Sequence, residues 1–242
     1  MSKKTLSLCC AVLTACASIF GASLARASII TYSASGTGSD GALSATAQFT
    51  TSAGSIQIVL TNTLSASQFV SAGQALSDIS FTLSNAPGTL LSDSASGQQG
   101  NISTTGTVTY TTGSPSRFIG VGGGTFTINN TTDTILMEAI GGSQPSELIA
   151  PSIANGGVYT NVNNGSISFN PYTIGPGTFT LNLSGVTAGT TVTSATFSFG
   201  TQPDTFLPGT PTTTTPEPSG LLLVGTGIAG AAALVRRRIA HA

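Results

Sequence analysis

The side chains that could carry out catalysis are few in this chain of 242 residues. The sole histidine is His241, the last lysine is Lys4, and the cysteines all precede residue 28: Cys9, Cys10 and Cys16. Between residues 28 and 215, therefore, no nucleophile can be paired with a histidine or lysine base. No histidine or cysteine is present there to hold zinc or copper. The sequence predicts a protein that is not an enzyme and that needs no cofactor or metal.

Carboxylates are the one class of catalytic group that this region retains. A pair of them is enough for glycoside hydrolysis, so a glycoside hydrolase stands as a third hypothesis for function. Isolated Asp and Glu beside Gly, Ser or Asn more often cap or solvate turns, and no calcium-loop pattern of the D-x-[DN]-x-[DN]-G type occurs. The carboxylates are Asp40, Asp78, Asp93, Asp133, Glu138, Glu147 and Asp204.

One glycine pattern matches the fingerprint of dinucleotide-binding folds, because residues 36–41 read Gly-Thr-Gly-Ser-Asp-Gly. The fingerprint requires a helix after the glycines and an acidic residue about 20 positions further on. Residues 43–49 alternate like a strand instead, and no acidic residue lies near position 60. The pattern therefore predicts a hairpin turn.

Aromatic side chains bear on a second hypothesis, a carbohydrate-binding module. Such a module would contact sugar rings through exposed aromatic faces, and the chain contains no Trp. The available platforms are its four tyrosines, Tyr32, Tyr110, Tyr159 and Tyr172.

Charge is scarce and unevenly placed. Only 6% of the residues are charged, against about a quarter in typical proteins. Between residues 28 and 215, Arg117 is the only basic residue against seven acidic ones, which gives a net charge of −6. Without a basic patch to neutralise phosphates, nucleic acid is excluded as a partner.

Apolar residues alternate with Ser and Thr through residues 28–207, which is the period of half-buried β-strands. The only candidate helix in this region, residues 134–140, is interpreted as a strand. We expect an all-β domain built as an antiparallel β-sandwich, with a β-helix or solenoid as the alternative, although no fixed repeat period occurs. Turn signals with Gly, Pro or Asn separate alternating runs at 43–49, 56–60, 79–83, 108–110, 126–128, 167–169, 179–183 and 197–199.

Residues 1–27 have the three parts of a secretory signal peptide. Lys3 and Lys4 form a positive start, an apolar stretch follows, and Ala25 and Ala27 form an A-x-A cleavage site. We expect signal peptidase to recognise these two alanines and to remove the segment.

Lipoprotein processing is the alternative at this end. Small residues precede Cys16, which is the pattern that exposes a cysteine for lipidation, but the apolar run continues past Cys16 to the A-x-A site. Cleavage after Ala27 would leave a chain without cysteine and hence without disulfides.

The C-terminal part begins with a Pro/Thr linker at residues 208–215, a composition that favours extended backbone. Residues 220–235 are uncharged and mostly apolar. As a helix they would be about 24 Å long, short of a hydrocarbon core of about 30 Å, but flanking arginines that reach the interface would let them span it. We predict a single transmembrane helix here, with the following Arg236, Arg237 and Arg238 cytoplasmic by the positive-inside rule.

Residues 216–242 resemble a PEP-CTERM sorting signal, in which a Pro-Glu-Pro motif, an apolar segment and a basic cluster follow one another in this order. Here the motif is Pro216, Glu217 and Pro218. The resemblance implies that a membrane enzyme of the exosortase type recognises these three residues and cleaves near them. It also implies a Gram-negative envelope or extracellular protein, often in organisms that make exopolysaccharide, and it names no ligand.

These features predict an exported domain at residues 28–207. Its C-terminal helix would anchor it in the inner membrane until processing releases it to the envelope or the medium. The leading hypothesis is a non-enzymatic envelope or extracellular-matrix protein associated with exopolysaccharide or biofilm. Its expected partners are signal peptidase, the exosortase and extracellular polysaccharide.

Overall fold

A computed structural model describes residues 28–112, 125–139, 148–201 and 205–212 of the chain. They form β-strands connected by turns and two short 3-10 helices, Ala72–Gln74 and Asn164–Phe169, so the predicted all-β class is confirmed. The strands are β1 (Ser28–Gly38), β2 (Gly41–Ser52), β3 (Ser55–Asn62), β4 (Leu76–Leu83), β5 (Leu90–Ser96), β6 (Gln99–Ile102), β7 (Val108–Thr111), β8 (Thr125–Asn129), β9 (Thr134–Glu138), β10 (Ile149–Ala150), β11 (Tyr172–Ile174), β12 (Gly177–Leu183), β13 (Val192–Phe199), β14 (Thr205–Pro208) and β15 (Thr210–Thr212).

Six strands form one antiparallel sheet in the order β15-β1-β2-β3-β12-β5. The glycine-rich segment at 36–41 is the tight connection between β1 and β2, where Gly38 pairs with Gly41. Gly41 has a φ of 119°, a conformation that a residue with a Cβ rarely adopts. The predicted hairpin turn is confirmed.

Nine strands form the second sheet, in the order β14-β13-β4-β10-β11-β6-β7, with β9 also pairing with β4 and β8 with β9. Strands β10 and β11 run parallel, with Ile149 opposite Thr173. The second sheet is therefore mixed, and the prediction of purely antiparallel sheets is wrong for this one pair.

The inner faces of the two sheets share one apolar core. Phe49 of β2 and Phe81 of β4 bring their ring centroids within 4.9 Å of each other. The hydroxyl of Tyr32 in β1 donates to the carbonyl of Val192 in β13 over 3.1 Å. Along β2 the alternating residues Leu43, Ala45, Ala47 and Phe49 are all buried, which is the alternation that the sequence predicts for one face of a strand.

The sequence predicts strands at residues 134–140 and 167–169, and the structure differs between the two. The first prediction is confirmed by β9. The second is wrong, because residues 164–169 form a 3-10 helix. The side-chain oxygen of Asn163 accepts a hydrogen bond from the backbone N–H of Ser166 over 3.1 Å, and this local bond starts a helical turn where alternation alone favours a strand.

Strands β5 and β15 are among those that lie outside the alternating runs of the sequence. β5 is rich in Ser and joins the sheet edge through backbone pairing with β12. β15 lies inside the predicted linker 208–215 and pairs with β1, with Thr212 opposite Thr31. The sheet therefore extends five residues beyond the predicted end of the domain at Leu207.

Within the described ranges, no helix is long and apolar enough to cross a membrane. The predicted span at 220–235 lies outside those ranges, as does the predicted signal peptide.

A buried amide fastens the loop after β3 to the β1–β2 hairpin. Gln74 is 1% exposed, and its Nε2 donates to the carbonyls of Ala42 (2.9 Å) and Gln68 (3.0 Å). Its Oε1 accepts from the backbone N–H groups of Val70 and Ser71. One side chain thus satisfies four backbone groups of a segment that has little regular structure of its own.

Replacing Gln74 with Leu should destabilise the protein strongly. The volume changes little, but four backbone groups lose their partner, and each unsatisfied buried group costs about 1–3 kcal/mol. We expect a loss of at least about 3 kcal/mol in the free energy of unfolding, measured by urea denaturation. Gln57→Leu, at an exposed position of β3, is the matched control and should change stability by no more than about 0.5 kcal/mol. Equal midpoints for the two variants would contradict the role of Gln74.

Candidate functional site

The four tyrosines proposed as sugar platforms do not form an exposed aromatic surface. Tyr32, Tyr159 and Tyr172 are 2%, 1% and 0% exposed, and Tyr110 is half-buried and packs against the core. The prediction that these rings face a ligand is therefore wrong for the three buried tyrosines. Alternation shows that every second side chain points to the same face of a strand, but it does not show whether that face is buried or exposed. The sequence therefore could not show that these tyrosines are buried.

All four tyrosine hydroxyls donate to backbone carbonyls instead. Besides the bond from Tyr32, Tyr159 donates to Pro151 (2.5 Å), Tyr172 to Ser166 (2.8 Å) and Tyr110 to Ile153 (2.6 Å). The rings of Tyr159 and Tyr172 also pack against Phe69, with centroids 5.0 Å and 6.3 Å away. These tyrosines hold loop carbonyls to the core.

The structure brings two of the predicted carboxylates together. Asp78 in β4 and Glu138 in β9 are directly opposite in the sheet. Asp78 is 4% exposed, and its oxygens accept from the backbone N–H of Ala139 (3.0 Å) and from the hydroxyl of Ser77 (2.8 Å). This buried carboxylate fastens the end of β9 to β4, and its burial leaves little room for a substrate.

The other carboxylates are dispersed. Asp40 lies in the β1–β2 turn, Asp93 in β5 and Asp133 between β8 and β9, while Glu147 and Asp204 fall outside the described residues. In the described part of the chain, no three His, Cys, Asp or Glu residues come together as a metal site would require.

The residues predicted for processing fall outside the described part of the chain. These are the cleavage-site alanines Ala25 and Ala27, the sorting motif Pro216, Glu217 and Pro218, and the basic cluster Arg236, Arg237 and Arg238.

A depression of about 200 Å³ lies beside the β1–β2 turn. Its lining includes Asp40 from the turn and Ser71 and Gly73 from the loop after β3. Phe169 of the second 3-10 helix and Asn163, the N-cap of that helix, complete this set. We call it the Asp40 pocket. It joins three segments that are distant in sequence, and the Gln74 amide described above holds two of them together.

The Asp40 carboxylate is held in one orientation at this pocket. Its Oδ2 accepts a hydrogen bond from the hydroxyl of Ser71, which is itself 5% exposed and accepts from the backbone N–H of Gly73 over 3.0 Å. A Cβ placed on Gly73 would lie 2.1 Å from Oδ2, so the carboxylate rests directly over this glycine. Oδ1 has no hydrogen-bond partner among the described residues and is available to accept from a ligand.

Asn163 presents a donor to the same pocket. Its Oδ1 accepts from the backbone N–H (3.1 Å) and the hydroxyl (3.1 Å) of Ser166. Because a backbone N–H can only donate, the oxygen must face Ser166 and the NH₂ group must point the other way. This exposed NH₂ has no acceptor within the part of the chain that the structure describes.

The outer face of the six-stranded sheet is an uncharged array of hydroxyl and amide side chains, which we call the hydroxyl face. In register across the strands, Gln57 of β3 lies between Thr50 of β2 and Thr180 of β12. Asn182 of β12 donates to the hydroxyl of Ser92 in β5 over 2.7 Å. The hydroxyl face consists of Thr31, Ser33, Thr46, Gln48, Thr50, Gln57, Thr61, Ser92, Ser94, Ser96, Thr178, Thr180, Asn182, Thr210 and Thr212, with Ile29 and Val59 as apolar members.

Sequence reasoning found the parts of the Asp40 pocket only as turns. Residues 36–41 and 163–165 carry Gly and Asn signals typical of turns, and nothing in their spacing indicates that they meet. The only available signal was the serine at Ser71 followed three residues later by Gln74, which is the pattern of a capping box and which the structure confirms.

Comparison of the chain with known protein families, with curated proteins and with solved structures finds no match. Any statement about function therefore depends on the residues themselves.

The stability of the protein should fall as the pH rises above about 10. Burial raises the pKa of Tyr32, Tyr159 and Tyr172 above the ordinary value of 10.0. The unfolded chain then loses phenol protons that the folded chain keeps, so each group lowers the free energy of unfolding by up to about 1.4 kcal/mol per pH unit above the unfolded pKa.

Urea midpoints measured between about pH 8 and about pH 11 test this dependence. Tyr159→Phe should reduce the slope of stability against pH, because it removes one of the groups, while lowering stability at neutral pH by leaving the Pro151 carbonyl without its donor. An absorbance rise that corresponds to more than one of the four tyrosines and precedes unfolding of the wild-type protein would contradict the burial argument.

Proposed function

We propose that this protein is an exported, non-enzymatic envelope or extracellular-matrix protein, sorted by its PEP-CTERM-like tail and associated with neutral exopolysaccharide. The hydroxyl face is the observation that carries the proposal. An uncharged array of donors and acceptors suits contact with hydroxyl-rich polymers, which themselves offer no charge to pair with.

Each contact on such a surface is weak, because a hydrogen bond to the polymer replaces one to water and contributes only about 0.5–1.5 kcal/mol. Many such contacts made at the same time compensate for the weakness of each one. Neighbouring strands are about 4.8 Å apart and side chains on one face recur about every 6.7 Å along a strand, so a long polymer can meet many groups at once. Binding should therefore depend on polymer length, as multivalent binding does.

Both proposed cuts lie outside the described strands. The proposed signal peptidase cut precedes β1 (Ser28–Gly38), and the Pro-Glu-Pro motif follows β15 (Thr210–Thr212). Since Thr212 pairs with Thr31 in antiparallel register, the N-terminal end of β1 and the C-terminal end of β15 lie side by side. Both cuts would leave every described strand intact.

Replacing Pro216, Glu217 and Pro218 with alanines tests the sorting step. The triple variant should be exported as well as the wild-type protein but remain full-length at its C-terminus and membrane-bound. Cell fractionation with intact-mass spectrometry would measure both properties. Replacing Thr212 and Pro211 with alanines, just upstream of the motif, is the control that should leave processing unchanged. Wild-type protein that still ends at Ala242 would remove the sorting part of the proposal.

The contact with polysaccharide can be tested by co-sedimentation with an insoluble neutral polysaccharide. Adsorption should be nearly the same at low and high salt, because no charge contributes to it. Thr180→Lys, between Gln57 and Ser94 on the hydroxyl face, should reduce adsorption several-fold, because a strongly hydrated ammonium group would have to be partly desolvated. Ser194→Lys, exposed on the other sheet, is the matched control. Equal adsorption of both variants would argue against the hydroxyl face.

A further inference from the structure

We propose that the Asp40 pocket is a binding site for a neutral sugar, which it would hold through two of the sugar's hydroxyl groups. This inference rests on the proposed function, since it names a specific saccharide site in a protein that we place among polysaccharides. The site is distinct from the hydroxyl face and from the buried tyrosines.

The pocket offers one fixed acceptor and one fixed donor. Asp40 Oδ1 can accept only, and the Asn163 NH₂ can donate only. A sugar hydroxyl can do both, so one hydroxyl of a sugar unit can donate to Asp40 while another accepts from Asn163. Because the acceptor is a carboxylate, its bond belongs to the stronger, charge-assisted class.

Both groups are oriented before any ligand arrives. The Ser71 hydroxyl holds the other oxygen of Asp40, and Ser166 holds the oxygen of Asn163. Ser71 and Ser166 are 5% and 1% exposed, so the supporting hydroxyls belong to the protein interior. A ligand therefore does not have to order these side chains, which lowers the entropic cost of binding.

An apolar surface lies beside the polar pair. Phe169 lines the pocket and packs partly against the core. A sugar ring has C–H groups on its faces and hydroxyls around its edge, so it can place a face against the phenyl ring while its edge reaches Asp40 and Asn163. The volume of about 200 Å³ is smaller than the usual range for drug-sized ligands and suits one sugar unit of a longer chain.

A calcium ion is the competing occupant, and the donor set suits it poorly. Calcium takes six to eight oxygen ligands, generally with several carboxylates among them. Among the residues that the structure describes, Asp40 is the only carboxylate that lines the pocket, and the Asn163 oxygen already accepts two hydrogen bonds. The remaining amide group presents hydrogens, which a cation repels.

Two substitutions reverse the polarity of the site without removing its supports. Asp40→Asn can keep an oxygen towards Ser71 but turns the outward acceptor into an NH₂ donor. Asn163→Asp keeps the oxygen that accepts from Ser166 but turns the outward donor into an acceptor. The matched controls are Asp93→Asn in β5 and Asn164→Asp, the neighbour of Asn163, both at exposed positions.

A third substitution moves the carboxylate rather than changing it. Gly73→Ala would place a Cβ 2.1 Å from Asp40 Oδ2, so the carboxylate would have to leave its position. Gly73 is not among the glycines with positive φ, so its backbone accepts alanine. The new Cβ would crowd Asp40 and would also lie 3.1 Å from the Oγ of Ser71, which holds the carboxylate.

The experiment is a glycan array of neutral gluco-, galacto- and manno-oligosaccharides, probed with the protein purified from the envelope or the medium. Calorimetric titration with the strongest array ligand follows, with its deoxy analogue, with added calcium and with a chelator. We expect Asp40→Asn, Asn163→Asp and Gly73→Ala each to weaken binding about tenfold or more, since each loses a bond to a fixed polar group. Both control variants and the chelator should leave binding unchanged, and the deoxy analogue should bind more weakly to the wild-type protein.

Thermal unfolding checks that all five variants are folded. The proposal is overturned if the wild-type protein binds none of the neutral sugars, or if the three pocket variants bind as well as the wild type. It is also overturned if binding requires calcium, which would make the pocket a cation site. In each of these cases the proposed function is judged separately, by recovery of the processed protein from the matrix and by adsorption to polymer through the hydroxyl face.

Discussion

The packing of the six-stranded sheet against the nine-stranded sheet is the interaction on which the rest of the structure depends. Phe49 and Phe81 meet across the two sheets, and the alternating residues of β2 and β12 are buried in the same core. Burial of apolar area is the main driving force available to a chain with so few charged residues. Because β-strands place successive side chains on opposite faces, the same alternation that builds the core also creates the hydroxyl face. The surface proposed to contact polysaccharide is thus a direct consequence of the packing.

Loops that leave this core are held by uncharged hydrogen bonds. Tyrosine hydroxyls reach the carbonyls of Pro151, Ile153 and Ser166, and the Gln74 amide satisfies four backbone groups. Buried polar groups of this kind cost free energy only when they are left unpaired, so they hold a loop in one position without the desolvation cost of an ion pair. Asp40 differs from these uncharged groups, because it is an exposed carboxylate that a buried serine holds in place.

Much of the fold could be predicted from the sequence, because its strands with a buried face alternate in an obvious way. The runs at 43–49 and 56–60 became β2 and β3, and residues 134–140 contain β9. The errors have physical reasons. The edge strand β5 and strand β15 pair mainly through backbone groups, and such pairing produces no pattern of apolar side chains. At 167–169 the side chain of Asn163 caps a 3-10 helix, so the alternating residues there do not form a strand. The Asp40 pocket could not be predicted, because its three segments meet only through the tertiary structure. The three buried tyrosines were misplaced because a period of two does not say which face is covered.

Strand β15 shows that part of the predicted linker protects an edge of the six-stranded sheet. β1 would be the edge of its sheet without β15, and an exposed edge strand can pair with another chain. Thr210 and Thr212 cover part of that edge, and Pro211 between them cannot donate a further hydrogen bond outwards. Cleavage after Thr212 preserves this cover, whereas cleavage before Thr210 would remove it. The processing site that we propose at the Pro-Glu-Pro motif would therefore lie on the side of β15 that keeps a released domain from pairing through β1.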